Sequence, residues 1–105
     1  MSWRFGRRWP VAKSVVVKTL AMTQVDFVRH LPVLLPDGYS VDAETWLLNE
    51  SGRMLTIRMH SIADRVLGSL RLPQLRVEFE FDAYSEQEVD VFMRQFARLY
   101  HRGGG

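Results

Sequence analysis

The chain contains no cysteine. Disulfides, thiolate metal ligands and a cysteine nucleophile are therefore excluded, and the composition suits a reducing, cytoplasmic setting. No apolar run approaches the length of a membrane span. The stretch 14–22 has the look of a signal-peptide core, but Lys18 interrupts it and no cleavage pattern follows. The first 25 residues hold arginines and no acid, as organelle transit peptides do, yet they are not serine-rich and Val15 to Val17 read as strand. Lysine is scarce too: all but Lys13 and Lys18 of the 14 basic residues are arginine, which lifts the sequence pI to about 9.4 although the net charge is only +2.

Nucleotide and metal motifs are missing as well. No Gly-x-Gly-x-x-Gly occurs. Gly6 to Ser14 faintly resembles a phosphate-binding loop, but its spacing is wrong, Ala12 stands where a glycine is needed and Pro10 removes an amide from the cradle. His30, His60 and His101 fall on different expected elements, so no metal-ligand spacing and no cofactor site emerges. Asp26 and His30 are four apart on an expected helix, which reads as a surface pair. His60, Ser61 and Asp64 contain triad residue types, but a strand end running into a turn accounts for them.

What is present describes one globular domain. The 105 residues are 47% hydrophobic and 25% charged, enough for a core without staples. The stretch from Leu75 to Arg102 organises the rest. Leu75, Val77, Phe79 and Phe81 alternate with Arg76, Glu78, Glu80 and Asp82, the pattern of a half-buried antiparallel strand. Ser85-Glu-Gln-Glu88 is a capping box. Val89, Phe92, Met93, Phe96, Ala97, Leu99 and Tyr100 then form one apolar helical stripe, with acids early and Arg94, Arg98 and Arg102 late, matching the helix dipole. Phe92, Phe96 and Tyr100 are expected to pack on Val77, Phe79 and Phe81. That leaves Trp46 as the one aromatic to show on the open face of the sheet.

Upstream, Val11 to Leu20 reads as a strand and Thr23 as a helix cap. Pro32 is expected to end the regular helix near Leu31, with Pro32 to Leu35 as a buried apolar loop or a kinked extra turn. Pro36-Asp37-Gly38 is a turn. Tyr39 to Leu48 reads as one strand, Asn49 to Gly52 as a hairpin loop and Arg53 to Ser61 as the next strand. Ala63-Asp64-Arg65 reads as a turn, Val66 to Leu72 as a strand and Leu72-Pro73-Gln74 as a turn. The order is β-α-β-β-β-β-α, or one strand shorter if two fuse. The fold class is α+β: a single antiparallel sheet of four to five strands with two helices on one face, in a single domain spanning 1–105. Residues 1–10 form a basic, aromatic N-terminal arm and 103–105 a glycine tail.

Charge is blocked along the chain. Residues 37–50 hold four acids and no base, 51–76 five bases and one acid, and 77–90 six acids and no base. Such alternation implies that neighbouring strands neutralise each other, with Glu78, Glu80 and Asp82 pairing with Arg58, Arg71 or Arg76. Two basic elements stand apart from this scheme: Trp3, Arg4, Arg7, Arg8 and Trp9 in the arm, and Arg94, Arg98 and Arg102 on the last helix. Aromatics beside arginines stack on bases or sit at a lipid headgroup layer; equally, Trp3, Phe5 and Trp9 close the end of the core. The resulting functional reading is a non-catalytic binding or adaptor domain that contacts an anionic macromolecule, nucleic acid or an acidic protein surface, through those residues. The alternative is a small ligand-binding protein or enzyme, with a pocket between the first helix, the Pro32–Leu35 loop and the sheet, and His30, Arg58 and His60 as its polar groups. A homodimer formed through a sheet edge is a third possibility.

Overall fold

The computed structural model describes residues 13–104, the last four by backbone alone. Its elements are β1 (Ser14–Leu20), α1 (Gln24–Leu34), β2 (Tyr39–Asp42), β3 (Thr45–Glu50), β4 (Arg53–Leu67), β5 (Leu70–Asp82) and α2 (Glu86–Gly104). The strands form one antiparallel sheet in the order β1-β5-β4-β3-β2. Both helices cover the same face, so the architecture is the expected α+β sheet with a helical layer.

Period-2 alternation on β5 builds the floor of the core. Leu75, Val77 and Phe79 are fully buried and Phe81 nearly so, while Glu78 and Glu80 face the other way. Leu55, Ile57 and Met59 of β4 extend that floor. Helix α2 supplies the roof. Phe96 meets Phe79 edge-on at 4.8 Å between centroids, and Phe92 meets Phe81 at 5.5 Å. Phe27 of α1 stacks on Tyr100 at 4.7 Å, and the Tyr100 hydroxyl donates to the Phe27 carbonyl at 2.7 Å. Burial pushes that phenol well above its ordinary pKa, so it stays a neutral donor.

The capping expectations hold in detail. Thr23 Oγ1 accepts from the Asp26 amide at 3.2 Å. In the capping box, the Ser85 amide donates to Glu88 Oε1 at 2.8 Å and the Glu88 amide donates to Ser85 Oγ at 3.1 Å. Ala83, at the switch from β5 to α2, adopts a left-handed conformation with φ 69°.

Several local expectations are corrected. Of the two alternatives at Pro32 the extra turn is realised, and regular helix runs on to Leu34 rather than ending near Leu31; the Leu35 amide still donates to Leu31 O at 2.7 Å, and both Leu31 and Leu35 are buried. Apolar burial thus outweighs one missing backbone donor. Tyr39–Leu48 is two strands, because Asp42 Oδ1 accepts from the Glu44 amide at 2.8 Å and closes a local turn. Val66–Leu72 is not a strand: Gly68-Ser69, with Gly68 at φ 65°, turns the chain there, and Leu72-Pro73-Gln74 lies within β5. Residues 63–64 are an irregularity in the β4–β5 register rather than a turn. Finally, Trp46 packs toward the helices, not outward, with its indole seated against Gly38, where an added Cβ would clash with Nε1.

Candidate functional site

Among the described residues, a groove and two charged faces bear on the groups singled out from the sequence. The first is a groove of about 510 Å³ where the end of α1, the β3–β4 turn and the first half of α2 converge. Leu34, Leu35, Leu48 and Phe92 give it apolar walls, and Gln87 and Gln95 contribute amides. Arg53 dominates its electrostatics. The guanidinium pairs with Glu88, reaches Glu50 at 3.3 Å and lies over the Tyr84 ring at 4.7 Å. Its Nε is buried without a partner. Glu88 is held below the ordinary glutamate range, first by the Ser85 amide and then by Arg53. Burial pushes the Tyr84 phenol up. Arg53 thus ties the β3–β4 turn to the start of α2, with both carboxylates already engaged on it. The arrangement provides a shaped apolar concavity with amides; it does not assemble an acid–base pair or an activated nucleophile.

The second surface is the uncovered face of the sheet. Glu80 bridges Lys13 at 3.2 Å and Arg58 at 2.8 Å, and Arg76 approaches Glu78 at 3.4 Å. Hydrogen bonds from Arg58 and then Lys13 lower the Glu80 pKa. The charge row on β5 is largely neutralised by its own neighbours, as the alternating blocks imply, although Arg71 takes no part.

The third surface is basic. Arg94 and Arg98 are exposed on the outer side of α2, and among the described residues neither meets a carboxylate. Arg94 Nε makes only a long contact, 3.4 Å, to the Asp90 carbonyl. For Arg102 the backbone alone is described, and Trp3, Arg4, Arg7, Arg8 and Trp9 lie outside the described residues.

The residues proposed for a pocket do not converge. His30 sits on α1, its Nδ1 at 2.9 Å from the Asp26 carbonyl, which requires that nitrogen to carry the proton. The Asp26 carboxylate pairs with Arg29 instead, at 3.1 Å. Arg58 lies on the opposite side of the sheet, bonded to Glu80, and His60 is exposed on β4 opposite Arg76. None of the three lines the groove. The groove does use Leu34 and Leu35, but apart from Asp37 its polar groups come from the ends of β3 and β4, from Tyr84 and from α2, segments far apart in the sequence.

No protein-family model matches this chain, and no curated protein does. Among the described residues no helix is long and apolar enough to cross a membrane, and no three of His, Asp and Glu cluster as metal ligands would.

One feature escapes the sequence reading altogether. Strand β1 pairs with β5 only as far as Leu20 opposite Leu75, and β3 pairs with β4 only as far as Thr45 opposite Arg58. Beyond those points Ile62–Leu67 and Leu70–Gln74 continue as a two-stranded arm with no further strand beside it among the described residues. The Gly-Ser pair at 68–69 is the signal that marks it.

Proposed function

We propose that the protein is a non-catalytic binding module for an anionic macromolecule, nucleic acid or an acidic protein surface. The contact elements are the Trp3–Trp9 arm and the Arg94, Arg98 and Arg102 stripe. The observation that supports this reading is a contrast among arginines. Arg29, Arg53, Arg58 and Arg76 each hold a carboxylate, whereas Arg94 and Arg98 stand one turn apart on an exposed helix face and, among the described residues, meet none. Like charges at that spacing repel on an isolated helix, and a bound anion turns the repulsion into a bidentate attraction.

The test is fluorescence anisotropy of a labelled single-stranded oligonucleotide and of an acidic peptide across a salt series. Binding should weaken steeply as salt rises, and Arg94→Gln with Arg98→Gln should weaken it about tenfold. Association that ignores both salt and the double substitution would remove this reading. A version lacking residues 1–10 reports the share of the N-terminal arm.

A second reading, a small-ligand protein, is favoured by the groove alone. Its 510 Å³ lies within the size range of ligand pockets, and its walls are apolar with a few amides. In that case Phe92 and Gln95, not His30 or His60, would contact the ligand. Saturable binding of a small apolar ligand that Gln95→Ala abolishes would decide for it.

A further inference from the structure

The outer end of the β4–β5 hairpin combines features that the anion-binding reading leaves unused. Val66, Leu67 and Leu70 are 54%, 49% and 54% exposed, at the tip of an arm that no other described strand flanks. The pairing places Leu67 opposite Leu70, Val66 opposite Arg71 and Arg65 opposite Leu72. Paired residues share a face and successive residues alternate, so Arg65 and Arg71 lie on opposite faces of the ribbon, one rung apart. The tip is therefore an apolar cap with one cation on each side of its base.

The edges of the arm are poor sites for adding a strand. Pro73 has no amide donor, and the irregularity at Ala63-Asp64 breaks the β4 ladder. Gln74 Nε2 further occupies the Ala63 carbonyl at 2.9 Å. Contact through the tip is thus favoured over contact along an edge.

We propose that this tip docks on an anionic lipid surface. Leu67, Leu70 and Val66 enter the boundary between headgroups and acyl chains, and the Arg65 and Arg71 guanidinium groups bond lipid phosphates at the level of their own rungs. Charge distribution selects this partner over two others. A nucleic-acid groove presents phosphates along many rungs of a ribbon, yet below the arginine level the arm carries Ile62, Ala63, Asp64, Pro73 and Gln74, with no cation among them. A second copy of the arm would bring Arg65 and Arg71 against their own equivalents, with Asp64 as the one nearby acid. A planar layer of phosphates over an apolar interior meets both the ring of charge and the cap. Because it rests on a different element, the inference stands or falls separately from the α2 stripe.

The absence of cysteine gives a direct test. Ser69→Cys places a single environment-sensitive fluorophore at the tip, and Glu86→Cys places one at the far end of the sheet as a control. Vesicles of phosphatidylcholine, with and without phosphatidylserine, are then titrated into the full chain. The label at position 69 should shift to the blue on the anionic vesicles alone, and the label at 86 should not respond. Arg65→Gln with Arg71→Gln should weaken partitioning about tenfold or more. Leu67→Asp with Leu70→Asp should abolish it, and the milder Leu67→Ser with Leu70→Ser should give an intermediate loss. All these positions lie outside the core, so the thermal transition serves as the check on folding. No shift on anionic vesicles overturns the proposal. So does an equal shift on duplex DNA, or one that grows with protein concentration without lipid, since these outcomes identify a nucleic acid or a second copy as the occupant.

Discussion

The two halves of the β4–β5 hairpin use the same strands for different ends. In the half beneath α2, every second side chain is buried: Leu55, Ile57 and Met59 on one strand, Leu75 to Phe81 on the other. In the outer half, backbone pairing continues through Leu67 and Leu70, but Ile62, Val66, Leu67 and Leu70 remain exposed. Ladder hydrogen bonds are present in both halves; burial is present in one. Each bond exchanged for water contributes little net free energy, and an isolated two-stranded ribbon is marginal. The arm therefore borrows its order from the base, where apolar area supplies the stability.

Substitutions separate the halves most sharply at Phe79, whose ring touches Phe81, Phe92 and Phe96. Phe79→Ala should cost about 3–5 kcal/mol in denaturant unfolding, and amide protection should fall across the base and the arm together. If the arm alone kept its protection, its order would be independent of the base. A smaller effect comes from acid. Glu80 and Glu88 both have folded pKa values below the ordinary glutamate value. Their contribution is therefore full above that ordinary value and is lost as pH falls through the lower folded ones. Glu88 is exposed and Glu80, half-buried, lies on the uncovered face of the sheet, so the decline in melting temperature should be gentle and should shrink in Glu80→Gln, as a pH series of melts would show. The smallest effect belongs to the tip: Leu67→Ser with Leu70→Ser should shift stability by no more than about 0.5 kcal/mol, since neither leucine fills the core. A large loss there would mean that the arm buries its leucines against something.

The base was legible because its signals agree. Alternation from Leu75 to Phe81, the Ser85–Glu88 box and the stripe ending at Tyr100 all specify one strand under one helix. The arm is hard to read from the sequence because Pro73 has the look of punctuation. Proline is tolerated in β5 there because the β1 neighbour has already ended, at Leu20 opposite Leu75, leaving an edge. A strand that stops at Pro73 conceals the Gly68-Ser69 turn. Pro32 misled for the opposite reason: tertiary burial of Leu31 and Leu35 overrode a local breaker. The groove was hidden because Leu35, Arg53 and Glu88 belong to three segments that only the fold brings together. The exposure of Arg94 and Arg98, by contrast, followed from helical spacing alone.

Ala83 gives the helical layer a mechanical character. An L-residue held at φ 69° sits about 1–2 kcal/mol above its relaxed state. That cost falls at the joint through which α2 leaves the sheet, and the ring contacts of Phe92, Phe96 and Tyr100 outweigh it, so the packing of the helix sets a backbone conformation that the residue would not choose alone.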